Sequence, residues 1–288
     1  MSDISCVDVM TRSPRRHLRR ADTAAAVFRW APLAVVVGFF GLRFVDQDTY
    51  DALVMEDGPV EWASFAVYVV AALVALLVVR RMQRRQQVLW ALLYVVVAAA
   101  FVFIASEEIS WGQRQLGFAG PDVLVENNKQ SEANLHNLLS RYRLHLVYIL
   151  VGLYGAGVGR ALVRRVRPLR EWTWLLTPPP WQRWYFGVVV LVYGWFDYMN
   201  PLLERLFGPG VNPKAAGLSR LQEVAELALG IGFLLFVLGV AARAKADADA
   251  GDDERDLTHG ADRNGPAAGA PGRGPGSGYV RATGRAGS

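Results

Sequence analysis

Residues 107–114 read EEISWGQR and stand directly on the end of an uncharged apolar run over 88–105. Ionisable groups at the end of a stretch apolar enough to enter a membrane are costly unless they meet partners, so they mark where function is to be sought. If the helix continues through the motif, Glu107, Trp111 and Arg114 fall at i, i+4 and i+7 and share a face. That face offers a carboxylate for proton transfer and a guanidinium for an anion, with Gln113 beside them as a hydrogen-bonding group. Gly112 would let a second backbone come close. Glu108 points about 100° away from Glu107 and needs a partner of its own.

Two more groupings could do chemistry. Glu132 and His136 are four residues apart in a helix that Ser131 can cap, so the carboxylate can orient the imidazole as it would for a base or a metal ligand. Asn134 and Asn137 flank that histidine and can bond a substrate. Glu223 and Glu226, three residues apart, share a face, which suits general acid and base work or a divalent cation. A divalent metal is compatible with these carboxylates and one or two histidines, but no spacing identifies one. The chain has no His-Glu-x-x-His, no paired Glu-x-x-His, no Gly-x-Ser-x-Gly elbow and no phosphate-cradling glycine pattern.

The elements that must carry these groups follow from where charge is missing. Of the 288 residues 52% are apolar, and the blocks 31–42, 62–79, 88–105, 146–159, 185–196 and 227–242 hold no Asp, Glu, Lys, Arg or His. Core helices of a soluble protein would show charges recurring on the solvent face, and these blocks do not. The pattern predicts an all-α integral membrane protein, a bundle of six transmembrane helices over about 24–45, 61–80, 88–110, 143–163, 184–204 and 221–243. Arg clusters precede the first helix and separate the second from the third and the fourth from the fifth. By the positive-inside rule those segments are cytoplasmic, which places both termini inside, N-in and C-in, in a bacterial cytoplasmic (inner) membrane.

The net charge of +5 is therefore topology, and no nucleic acid partner is expected. The single cysteine, Cys6, excludes a disulfide framework within one chain and a cysteine zinc site. Residues 1–22 read as a disordered basic tail, 23–243 as the membrane domain and 244–288 as a second disordered cytoplasmic tail. The Trp- and Pro-rich stretch 168–184 reads as an interfacial element on the cytoplasmic side. Between helices 3 and 4 an interfacial helix outside the membrane is expected, carrying the NLHN of 134–137.

Counting inward from the cytoplasmic anchors locates the polar groups. Asp197 lies about 14 residues into helix 5, roughly 20 Å through a core of ~30 Å. Glu107 ends helix 3, Glu61 begins helix 2, His145 lies near the outer end of helix 4, and Glu223 and Glu226 lie at the outer end of helix 6. Five helices thus deliver polar groups to one level, the outer third of the bilayer. Glu61, Ala63 and Ala66 of helix 2 are echoed by Glu223, Ala225 and Ala228 of helix 6, small-residue faces suited to close packing.

EEISWGQR, followed by NKQSE at 128–132 in the pattern NxQxE and then NLHN, resembles a family of uncharacterised bacterial multi-pass membrane proteins. The resemblance covers helix 3 to the start of helix 4 and implies the membrane fold without an activity.

Three functions compete. A hydrolase or transferase acting on a membrane lipid or lipid-linked substrate would use Glu107, Glu108, His136, Glu223 and Glu226 for acid-base chemistry. Trp111, Gln113, Arg114, Asn134, Asn137, Asp197 and Glu61 would hold the substrate. An ion-coupled transporter or channel needs polar groups continuing inward, and the inner halves are bare. A non-catalytic assembly protein would use the polar layer only to knit helices together. Oligomeric state is left open.

Overall fold

The computed structural model describes residues 13–117, 141–207 and 218–263. Among them every regular element is helical. In Met1–Lys245 these are α1 (Ser13–Val45), α2 (Gln47–Val54), α3 (Pro59–Arg84), α4 (Val88–Glu108) and the short α5 (Gln113–Leu116). Next come α6 (Arg141–Leu153), a π-helical turn Tyr154–Val158, α7 (Gly159–Arg165), α8 (Thr173–Leu176), α9 (Arg183–Gly194), a second π-helical turn Trp195–Met199 and α10 (Asn200–Phe207). The last, α11, spans Leu221–Arg263. The unit Ala246–Ser288 is helical as far as Arg263.

Five helices are long and apolar enough to cross a membrane: Ala26–Val45, Gln47–Arg84, Val88–Glu108, Arg143–Arg165 and Leu221–Asp247. Their burial is inverted relative to a soluble protein. Leu73, Leu76, Leu89, Leu92, Val96 and Val102 lie exposed, while Ala71, Ala75, Ala91, Ala98 and Ala105 are buried. Large apolar side chains outside and small ones inside is what a hydrocarbon solvent selects, because helices then associate by close packing and gain little from hiding leucine.

The segment 183–207, the fifth of the six expected spans, falls outside those five. It is helical throughout, but Tyr185, Tyr193, Trp195, Asp197 and Asn200 dilute its apolar run. These polar residues are tolerable because the segment packs against α1 and α6 and buries Tyr185, Phe186, Val188, Val189, Val192 and Tyr193. Glycine permits the approach: a Cβ on Gly155 would lie 2.2 Å from the Phe186 ring, and one on Gly152 would lie 2.7 Å from Val190 and 2.9 Å from the Phe186 carbonyl.

Two apolar clusters hold the bundle. Tyr68, Ala75, Val78 and Met82 of α3 meet Tyr94, Ala98 and Phe101 of α4 and Val237, Val240 and Ala241 of α11. Tyr50 and Val54 of α2 join Phe186, Val189 and Phe196 with Leu221, Val224 and Ala225 of α11. Ala225 and Ala228 of α11 are buried, whereas Ala63 of α3 is half-buried and Ala66 exposed, so the small-residue pattern packs on α11 and not on α3; Gly230 leaves room for the Tyr68 ring. The stretch 168–184 docks onto α4: Leu175 is buried, Tyr94 donates to its carbonyl at 2.8 Å, and Trp172 lies 4.7 Å from Trp90.

Three expectations change. Helix α4 stops at Glu108 and does not run on through the EEISWGQR motif. Helix α1 begins at Ser13, inside the expected N-terminal tail, and α11 runs to Arg263, inside the C-terminal one. Both extensions are rich in Ala, Arg, Leu or Asp and grow from a helix already nucleated, so each added residue gains a hydrogen bond without the entropy cost of a new start. The interfacial helix expected between the third and fourth spans lies outside the described residues.

Candidate functional site

The motif 107–114 is shaped by a reversal of backbone hand. After α4 ends, Ser110, Trp111 and Gly112 take φ of 48°, 56° and 75°, a left-handed turn that non-glycine residues enter only at a cost of about 1–2 kcal/mol each. Strain of this kind persists where surrounding contacts fix it and is concentrated at functional sites. The contact here is direct: the Trp111 indole N–H donates to Glu107 Oε1 at 2.5 Å, and the indole rests edge-on against Phe103 at 5.7 Å. Glu107 and Ser110 are buried while Trp111 is exposed.

The turn corrects two expectations. Glu107 and Trp111 do meet, but through a turn, so the i+7 alignment of Arg114 is lost. Gly112 serves its positive φ, not a close approach, since a Cβ there would find only Leu116 at 3.5 Å. Gln113 is half-buried at the start of α5. The side chain of Arg114, and Asn134, His136 and Asn137, lie outside the described residues.

The strongest grouping joins α6, the segment 183–207 and α11. Tyr148 donates to Glu226 Oε2 at 2.8 Å and Tyr193 donates to Glu226 Oε1, so both carboxylate oxygens are engaged. The two phenol rings stack at 5.0 Å with planes 9° apart. One turn along, His145 Nδ1 bonds Asp197 Oδ2, with both residues buried. The His145 ring stands edge-on to Tyr193 at 4.7 Å, which ties the two tiers together. Asp197 sits in the π-helical turn Trp195–Met199, and such one-residue insertions re-aim a side chain within a helix.

Carboxyls from three helices surround this pair of tiers. Glu108 feels the charges of Glu226, Glu223, Glu61 and Glu107, the strongest first. Glu223 in turn feels Glu226, Glu61, Arg220 and Glu56. Tyr68 stands within reach of Glu108 and Glu226. Glu61, in the first turn of α3, accepts the Asp57 N–H at 2.5 Å. Glu108 and Glu223 thus each lie within Coulombic reach of Glu226 and Glu61, while Glu107 reaches its neighbour Glu108 and turns to Trp111. Outside the spans, Asp46 caps α2 by accepting from Thr49 N at 3.0 Å and Thr49 Oγ1 at 2.6 Å; those bonds hold its carboxyl below the usual range.

The charge survey of the sequence identified Asp197 and His145 by depth but did not pair them, and it passed over Tyr148, Tyr193 and Gln222. A signal was present. His145 and Tyr148, Tyr193 and Asp197, and Gln222 and Glu226 are each one helical turn apart, so three helices repeat the same two levels. Among the described residues no three His, Cys, Asp or Glu side chains are arranged to hold a metal ion.

Chemically, the carboxylate on His145 Nδ1 fixes the tautomer and leaves Nε2 as the basic nitrogen, while Glu226 is held rigid by two phenols. Compared with protein-family models, with curated proteins and with solved structures, the chain finds no match in any of the three.

Proposed function

We propose that the chain is a six-span protein of the bacterial inner membrane, with both termini cytoplasmic, whose polar layer acts on a lipid or lipid-linked substrate at the outer leaflet as a hydrolase or transferase. The observation that carries this reading is the buried His145–Asp197 pair stacked one turn from Tyr148–Glu226–Tyr193. His145 Nε2 takes the proton from an attacking water or hydroxyl as its oxygen bonds the electrophilic centre. Asp197 stabilises the imidazolium, which then returns the proton to the oxygen leaving that centre. Glu107 holds the turn through Trp111, and Glu108 and Glu223 face the substrate's polar group.

Placement at the headgroup level is supported by Trp62 and Trp111, both exposed, beside Glu61 and opposite Glu107, since tryptophan concentrates at membrane interfaces. A one-ended site is favoured over a transport path by the packing of the opposite halves of α3, α4 and α11, where Ala75, Val78, Met82, Ala91, Val237 and Ala241 close on one another.

The test is the lipid composition of membranes from cells producing the protein, His145→Asn or Glu226→Gln. A cleaved or transferred headgroup species present with the native chain and missing with both variants supports the proposal. Identical profiles from all three would overturn it.

A further inference from the structure

Four polar groups around the layer are unsatisfied in a way that defines a ligand. Glu108 and Glu223 are half-buried carboxyls within Coulombic reach of each other, and neither forms a hydrogen bond or ion pair among the described residues. The Tyr50 hydroxyl and the Gln222 amide nitrogen are buried and equally without a partner, although Tyr50 is 0% and Gln222 8% exposed. Buried donors left unmatched are costly, and native structures rarely keep them without a reason.

The placement separates the charges. Tyr50 packs in the cluster that holds Leu221 and Val224, on either side of Glu223 in sequence, with the Arg43 guanidinium 6.0 Å from its ring. Arg220, exposed, lies within electrostatic reach of both Tyr50 and Glu223. Gln222 is four residues before Glu226 and so shares its face, one turn nearer the helix start. Donors and cations therefore gather at the start of α11, and unpaired carboxylates sit beside them. A ligand matching both carries an anionic acceptor and a cationic donor a few bonds apart.

We infer that the site takes a phospholipid headgroup in which a phosphodiester is joined to a primary ammonium, the ammonium between Glu108 and Glu223 and the phosphate on Tyr50, Gln222 and Arg220. This rests on the outer-leaflet placement proposed above. The three N–H donors of a primary ammonium suit two carboxylates, whereas a quaternary ammonium donates none and a glycerol headgroup brings no cation. A lipid is the source the exposed Trp62 and Trp111 favour; a soluble phosphodiester of the same chemistry is the other.

The experiment uses the full chain in phosphatidylcholine nanodiscs containing small equal fractions of phosphatidylethanolamine and phosphatidylglycerol, with retained lipid read by native mass spectrometry. Charge-assisted bonds of about 1.5–3 kcal/mol imply a preference for phosphatidylethanolamine of about tenfold or more. Glu108→Gln and Glu223→Gln should bring it close to unity, while Gly38→Ala, on α1 with nothing within 4 Å of the added methyl, keeps it. Equal retention of the lipids by the native chain, or a preference for phosphatidylglycerol, overturns the inference without requiring any variant to fold. Displacement of the lipid by soluble glycerophosphoethanolamine at matching concentration would overturn the lipid as source. Headgroup preference without lipid turnover would sink the enzymatic reading and leave this one standing; turnover without preference would do the reverse.

Discussion

His145 on α6 and Asp197 on the π-helical turn Trp195–Met199 bond each other through Nδ1 and Oδ2, two buried groups contributed by helices that glycine allows to touch. The pair is at once a structural tie between α6 and the segment 183–207 and the source of a basic nitrogen. Both roles predict measurable coupling.

Removing one partner of a buried pair leaves the other uncompensated, at a cost of about 3–5 kcal/mol. His145→Ala and Asp197→Ala should each destabilise the detergent-solubilised protein by that order, and the double variant by much less than the sum. A double-mutant cycle from unfolding midpoints measures this. Additive losses would mean the two side chains act independently.

Tyr148→Phe and Tyr193→Phe each delete one donor to Glu226 and keep the stacked ring. Each should lower stability by about 1.5–3 kcal/mol, the range for a hydrogen bond to a charged group. Infrared spectroscopy of the carboxylate stretch reads the same change at Glu226. A spectrum unmoved by either substitution would separate the phenols from Glu226.

Backbone conformation gives two glycines opposite fates. Gly112 has φ of +75°, and a Cβ there would make only an ordinary van der Waals contact with Leu116 at 3.5 Å, so Gly112→Ala should cost about 1–2 kcal/mol through backbone strain. Gly38, inside α1 with nothing within 4 Å, should gain up to about 1 kcal/mol on Gly38→Ala from helix propensity. Thermal midpoints moving the same way in both would contradict the turn.

Gly155→Ala places a methyl 2.2 Å from Phe186, which is buried and has no room to withdraw. Overpacking by about 1–3 kcal/mol is expected, and Phe186→Leu in the same chain should recover most of it. Because α6 must shift to admit the methyl, the same variant should weaken the His145–Asp197 coupling in the cycle above. Intact coupling in Gly155→Ala would show that the glycine does not set that distance.

Asp46 supplies a pH dependence with a defined sign. Its carboxyl is held low by the bonds from Thr49, so its contribution to capping α2 is complete above the unfolded value of about 3.9. It is lost as pH falls through the lower folded value. Amide exchange of α2, which carries Tyr50, should therefore accelerate in acid, and Asp46→Ala should already be fast at neutral pH. Exchange rates alike in the two chains at neutral pH would remove the cap from the account.

The five long apolar helices were legible because hydrocarbon excludes charge, and a gap in the charge pattern survives any detail of packing. The charge pattern also read Glu61, Glu107, Glu108, Glu223 and Glu226 as one level, and Glu108 and Glu223 do each lie within Coulombic reach of Glu226 and Glu61. The stop at Glu108 was not, because nothing in EEISWGQR breaks a helix except Gly112, four residues late; the indole bond to Glu107 and burial of Ser110 hold the turn. The π-helical turn at Asp197 leaves no compositional trace, since one inserted residue changes a side chain's direction without changing the helix. Tyr148 and Tyr193 are aromatic residues in apolar helices until both hydroxyls are seen to donate to Glu226.

The central claim, that His145 is the base of a lipid-acting site, is tested most directly by turnover in proteoliposomes. Purified native chain and His145→Asn are reconstituted in inner-membrane lipids and the loss of intact lipid is followed by mass spectrometry. General base catalysis predicts steady conversion by the native chain and a rate about 10²–10⁴-fold lower in the variant. Equal rates in the two, or no conversion by the native chain, would contradict it.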